Sequence, residues 1–425
     1  MSEPGDELVA FLYADLSGLS RGRAVPQRRL ARAMATGVGW VPADQAITPL
    51  GPLAEPNPWG SLGDLRLVPD PATETRVALW PDVPPLHFLL CDARRMDGTA
   101  WNACPRALLR SALARLADET GLAVHAAFEH EFVLQGHVPF PPPAFSHEAL
   151  RRAEPLGGEL AAALRLAGLE LENFLPEYGE DQFELTVAPR DGLAAADAAA
   201  IVRELVREAA RRHGWRATFA PILDPAGSGS GMHVHLSFAG GAMHDPERPG
   251  GLSVAGGRFA AGVLAHLPAI CAVAAPSPVS YHRLVPHRWS AGAACLAAGN
   301  REAALRIPTA VGFAGADPAS QTRLELRVAD GACSPHLLLA LVVLAGLRGL
   351  RDGLDPAPVL TDFEPDGALP GSLAEALDAF AADPLVQAEV PAELRDGYLA
   401  MKRLEIELVD GLTDAEACAR YARAY

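Results

Sequence analysis

Gly227-Ser228-Gly229-Ser230-Gly231-Met232-His233-Val234-His235-Leu236-Ser237-Phe238 is the stretch on which the reading of this 425-residue chain turns. Three glycines in five residues let the backbone turn tightly and approach a ligand closely. The alternation that follows predicts a strand, with His233, His235 and Ser237 on one face and Val234, Leu236 and Phe238 on the other. One strand of this kind is more often a solvated sheet face than a site. The functional reading therefore depends on matching chemistry from other strands.

Three further segments share the alternation. In Ala127–Val133, Glu129 and Glu131 oppose Phe128, His130 and Phe132. In Gln182–Val187, Gln182, Glu184 and Thr186 oppose Phe183, Leu185 and Val187, with Glu177 just upstream. In Arg323–Val328, Arg323, Glu325 and Arg327 oppose Leu324, Leu326 and Val328. Each alone fits a solvated face with cross-strand ion pairs. Together they place five carboxylates, two imidazoles and two guanidiniums on one face, without a lysine. Carboxylates that close repel unless a cation lies between them. Mostly oxygen donors with one imidazole suit Mg2+ or Mn2+ better than zinc. Carboxylates with arginines are the equipment of phosphoryl transfer, and no P-loop lysine motif is present.

The rest of the chain sets bounds. Its length predicts two or three structural units. A net charge of -16 argues against nucleic acid or an anionic membrane as partner. Six scattered cysteines without a C-x-x-C pair indicate neither a zinc cluster nor a disulfide framework. The acidic N-terminus lacks an apolar signal region, and the apolar run Leu337–Leu347 is too short to span a bilayer, so a cytoplasmic protein is expected. Strands are predicted near 8–13, 24–25, 65–68, 76–80 and 87–92, separated by a Pro/Gly-rich loop over 37–63. Helices are predicted over 30–35, 106–120, 194–213, 257–274, 335–351, 372–381 and 392–408, with loops at 138–143, 276–298 and 308–322.

Seven motifs in order carry a resemblance: Leu67-Val68-Pro69-Asp70-Pro71 with Cys91-Asp92; Glu129-His130-Glu131-Phe132; Glu177 through Gln182-Phe183-Glu184; Gly229 to His235; Tyr281-His282-Arg283-Leu284; Asn300-Arg301-Glu302-Ala303-Ala304-Leu305-Arg306-Ile307-Pro308; and Arg323-Leu324-Glu325-Leu326-Arg327. Over nearly its whole length the chain resembles glutamine synthetase and its relatives, the glutamate–amine ligases. The resemblance implies an α+β fold: a β-grasp unit over 1–98, and a catalytic unit over 99–425 whose antiparallel half-barrel sheet is backed by helices. It also implies ring-shaped homo-oligomers, often dodecamers, and ATP as substrate with two or more Mg2+ or Mn2+. By position, Glu131, Glu177 and Glu184 match the ligands of one ion, and Glu129, His233 and Glu325 those of a second. Arg301 and Arg306 match the residues handling the transferred phosphate and ATP, with Arg323, His235 and Ser237 on the nucleotide side. Arg283 and Arg327 match the clamps on glutamate, with Ser228 and Gly229 in the glutamate loop.

The chain departs from the ammonium-using members at the acceptor end. Those members use an aspartate in an Asp-Gly-Ser-Ser stretch and a glutamate on the loop between the Arg283 and Arg301 positions. Here 39–64 lacks that stretch, and the loop glutamate falls on Trp289. An indole can face an alkylammonium or stack on an apolar amine but cannot act as a base. The expectation is a ligase joining glutamate to an organic amine through γ-glutamyl phosphate. The alternative for Trp289 is loop packing, with the base supplied from elsewhere, for instance by Asp44 or His287; the alternatives for the protein are a glutamine synthetase with rearranged ammonium loops and a non-catalytic assembly protein.

Overall fold

The structure is a computed structural model describing residues 7–136, 143–363 and 369–425. The loop predicted over 138–143 therefore lies, apart from Pro143, outside the described residues. A first sheet forms from β1 (Leu8–Ala14), β2 (Ser20–Pro26), β3 (Val38–Trp40), β4 (Leu65–Pro69), β5 (Thr75–Val77) and β6 (Leu86–Arg95), in the order β2-β1-β6-β4-β3 with β5 also on β6. The pair β1–β6 is parallel; the others are antiparallel. The strand predicted over 76–80 is shorter than expected and ends at Val77, before Pro81. The loop over 37–63 is pinned at its far end: the indole N–H groups of Trp59 and Trp101 both donate to one oxygen of Glu393, at 2.6 and 2.9 Å.

A second, ten-stranded sheet forms from β7 (Val124–Gln135), β8 (Leu171–Pro176), β9 (Gln182–Val187), β10 (Arg190–Asp191), β11 (Arg216–Thr218), β12 (Val234–Phe238), β13 (Ala293–Ala298), β14 (Ala303–Ile307), β15 (Leu324–Leu326) and β16 (Val359–Leu360). Its order is β16-β13-β14-β15-β12-β7-β9-β8, with β10 and β11 also on β7. Pairing is antiparallel from β14 to β8 and parallel around β13. The fold is α+β. The four charged segments become β7, β9, β12 and β15 with its flanks, and all four are consecutive in the sheet, in the order β15-β12-β7-β9.

Helices back this sheet. The helix Pro105–Thr120 begins on proline and ends at Gly121 in the left-handed region, φ 72°. Pro335–Arg351 is buried continuously from Pro335 to Leu347, which explains its apolar run: it is a core helix packed against Pro105–Thr120 and Val254–Ala265. One helix predicted over 257–274 is two, Val254–Ala265 and Leu267–Ala274, bent by 74°. Pro268 cannot donate to the preceding turn, so the first helix stops before it. Helices at Leu156–Leu166 and Asp414–Ala424 and the strands β13 and β14 add to the predicted set. Arg106, on the helix Pro105–Thr120, ties the first sheet to the helix Gly192–Arg212 with hydrogen bonds of 2.6–2.8 Å to Asp70, Asp92 and Asp197. Among the described residues no disulfide forms, and no single helix is long and apolar enough to cross a membrane.

Candidate active site

The register of the second sheet assembles the site. Glu131 faces Glu184 across β7 and β9, and His235 faces Glu325 across β12 and β15. The pairing of β12 with β7 extends backwards through the glycine stretch, because the Glu129 and Glu131 N–H groups donate to the carbonyls of His233 and Gly231 (3.0 and 3.2 Å). The stretch is sewn down on its other side by Ser230 N–H to Pro221 and Met232 N–H to Ala329. Two glycines are required by close approach. A Cβ at Gly231 would lie 2.8 Å from His233 Nε2, and one at Gly229 would lie 2.7 Å from the Arg283 Cβ.

These elements enclose a cavity of about 1260 Å³, large enough for a nucleotide together with a small acid. Fifteen of the sixteen residues singled out from the sequence line it: Glu129, Glu131, Glu177, Glu184, Ser228, Gly229, His233, His235, Arg283, Trp289, Arg301, Arg306, Arg323, Glu325 and Arg327. Ser237, at the far end of β12 opposite His125, is not among the lining residues. Nor is Asp44, whereas His287 is.

Glu129 accepts from His233 Nδ1 (3.1 Å) and His235 Nε2 (2.8 Å), and the other nitrogen of His235 accepts from Arg323 Nε at 3.0 Å. Burial works against the Glu129 charge, but the two imidazoles outweigh it and hold the carboxyl well below its usual range. Burial and the Arg327 guanidinium lower His233 to about 4, so its ring is neutral at neutral pH and able to ligate. Glu325 is opposed by burial yet held at about 2 by His233, Arg327 and His235; it also accepts hydrogen bonds from Arg306 (2.6 Å) and Arg327. Donor atoms of Glu129, His233 and Glu325 lie within 4.8 Å of one another, a spacing that a divalent ion contracts only slightly. Among the described residues it is the one such group of three.

Glu131, Glu177 and Glu184 line the same cavity without closing to that spacing. Burial and the neighbouring carboxylates push Glu177 up to about 7 and Glu184 up to about 9, and burial raises Glu131 as well. Like charges facing each other across a sheet are costly, and a cation between them removes the conflict. The donor set thus fits a second divalent ion. The sign of the pH effect follows. These carboxyls titrate higher in the fold than in the unfolded chain, so their contribution to stability is present at low pH and lost as pH rises through about 7 and 9. A bound ion needs their ionised forms and displaces those protons. The rise in Tm on adding Mg2+ should therefore grow between about pH 6 and about pH 8.5. A flat or shrinking increment in thermal-shift scans would contradict a carboxylate-held cation.

Arg283 is 3% exposed and makes no ion pair among the described residues; its guanidinium donates to the carbonyls of Val328 and Arg327. Burial disfavours its charge, and the nearby carboxylates of Asp330 and Glu131 act in the opposite sense. Arg301 stands exposed at the cavity. The exposed side chains of Phe145, Tyr178 and Trp289 also line the cavity. Phe145 and Tyr178 carried no signal in the sequence, since they sit on separate loops outside any periodic segment. Gln182 was legible only as a strand residue; its amide donates to Glu131 (2.9 Å) and to the Gly229 carbonyl, joining β9 to the glycine stretch.

A sheet that gathers six acid and imidazole donors beside a set of arginines defines a class, and comparison with known proteins agrees with it. Residues 102–421 match the glutamine synthetase catalytic domain and residues 3–101 the glutamine synthetase N-terminal domain. The chain belongs to the glutamine synthetase family of ATP-dependent ligases, which act on small molecules with ATP and divalent metals. A gamma-glutamylpolyamine synthetase of Streptomyces coelicolor is 34% identical, with 98% of this chain and 93% of that protein covered. A glutamate–isopropylamine ligase of a Pseudomonas species is 30% identical (96% and 93%), and a glutamine synthetase of Halobacterium salinarum 29% (94% and 90%). A crystal structure of a glutamine synthase homolog superimposes with TM-score 0.94 at 46% identity, covering both chains fully.

Proposed function

We propose that this protein joins glutamate to an organic amine, using ATP, to form a γ-glutamyl amide. The observation that carries the proposal is the acceptor end of the cavity. No acid occurs between Arg283 and Arg301, and Trp289, Phe145 and Tyr178 present aromatic side chains there. An aromatic rim attracts an alkylammonium through its ring faces and then holds the neutral amine's hydrocarbon. Two relatives named for amine ligation support the reading.

In this reading Arg283 and Arg327 hold the carboxylates of glutamate, and Ser228 and Gly229 border it. Arg301, Arg306 and Arg323 neutralise phosphate oxygens, with His235 beside them. A γ-carboxylate oxygen of glutamate attacks the terminal phosphorus of ATP and the bond to ADP breaks. The amine nitrogen then attacks the acyl carbon of γ-glutamyl phosphate, inorganic phosphate departs with the bonding electrons, and the nitrogen gives up a proton. Glu129, His233 and Glu325, and Glu131, Glu177 and Glu184, would hold two divalent ions, which when bound neutralise charge on the transferring phosphate. Arg306 and Arg327 both rest on Glu325 and line the cavity.

Production of glutamine from ammonia is the second reading, favoured by similarity to ordinary glutamine synthetases. Phosphate release with ATP, Mn2+ and glutamate across a panel of amines separates the two. The proposal expects release that depends on both glutamate and an organic amine. Robust release with ammonium and no preference for any organic amine would sink it.

A further inference from the structure

We propose that Glu302 is a positioning residue that locks the loop carrying Trp289 into the form that presents the indole to the cavity. The proposal rests on the reading of residues 286–290 as the acceptor loop. Both oxygens of the Glu302 carboxylate are committed to that loop: one accepts the N–H of Trp289 at 2.8 Å, the other the N–H of His287 at 3.2 Å. The Glu302 carbonyl accepts the N–H groups of Gly292 and Ala293, where the loop returns to the sheet. Glu302 is itself fixed by its N–H bond to Asn300 Oδ1 (2.9 Å).

The two residues held by the carboxylate are strained. His287 and Trp289 have φ of 65° and 57°, two of only five non-glycine residues in the left-handed region among the described residues. A bulky side chain leaves that region unless its surroundings hold it there. Charge-assisted bonds from a carboxylate to both amides do so. The consequence is directional. Trp289 is 76% exposed and lines the cavity rather than packing on the sheet. The clamp also reaches the glutamate side, because Arg327 donates to the carbonyls of Trp289 (3.1 Å) and Arg301 (2.9 Å), the residue preceding Glu302. An acid in the last position of the Asn300–Glu302 turn thus shapes the acceptor loop from behind without itself lining the cavity.

Glu302→Ala and Glu302→Gln test this with two readouts. Hydrogen exchange over 286–290 needs no turnover; the alanine variant should exchange about tenfold faster there, and the glutamine variant, which keeps one acceptor oxygen, should be intermediate. In steady-state kinetics with whichever acceptor the panel identifies, ammonium included, alanine should raise the acceptor KM about tenfold and leave the KM for ATP within about twofold, with glutamine partly rescuing. Unchanged exchange in Glu302→Ala would overturn the clamp whatever the acceptor proves to be. Faster exchange with an unchanged acceptor KM would also overturn the positioning role. Equal loss of kcat in both variants, with normal exchange in glutamine, would mean that the charge acts in the chemistry, and would overturn it too.

Discussion

Glu325→Gln should lower ATP-dependent turnover by about a thousandfold and abolish most of the thermal stabilisation given by Mn2+ with ATP. Glu325 is 1% exposed and accepts hydrogen bonds from Arg306 and Arg327. The amide has the same shape, so the cavity keeps its walls. It removes the negative charge that two guanidiniums rest on, turns an N–H toward one of them, and strips an anionic donor from the group that includes Glu129 and His233. Thermal shift with and without Mn2+ plus ATP, alongside phosphate release, reads both consequences. A variant that keeps the full shift and turnover within about threefold of the original would remove Glu325 from the site. The same pair of measurements addresses the non-catalytic alternative, which predicts no shift for the unmodified protein.

Trp289→Glu should reverse acceptor preference, lowering the ratio of organic-amine to ammonium efficiency by about a hundredfold. The indole is exposed at the cavity, and the backbone N–H and carbonyl of Trp289 are fixed by Glu302 and Arg327 independently of the side chain. The substitution therefore exchanges the chemistry while leaving the loop anchored. A carboxylate favours a small, hydrated cation and disfavours the hydrocarbon of a larger amine. Metal-dependent ATP binding should stay the same, since Trp289 belongs to no donor group. An unaltered preference would place acceptor selection elsewhere on the rim, with Phe145 and Tyr178 the next residues to exchange.

Much of the site was legible because its determinants are periodic. Alternation placed Glu129 and Glu131, Glu184, His233 and His235, and Glu325 and Arg327 on single faces, and antiparallel register brought those faces together. The absence of lysine from this face looked selective, yet the whole chain holds a single lysine, Lys402, buried against Glu405 at 2.7 Å. What stayed hidden was aperiodic. Phe145, Tyr178 and Trp289 come to one cavity only through tertiary folding, and the partners of Glu302 are backbone amides fifteen and thirteen residues away. The strands β13 and β14 are alanine-rich, without the β-branched alternation that announces a strand, and exist because neighbours supply their ladders. In the helix pair, the apolar run continued past the break, and only Pro268 marked it.

The most direct test is a competition in one reaction: ATP, Mn2+ and glutamate with ammonium and an organic amine from the panel at equal concentration, products resolved by mass. The aromatic lining, with no acid over residues 284–300, predicts that the γ-glutamyl amide of the organic amine dominates over glutamine for at least one amine. Glutamine as the dominant product against every amine would contradict it.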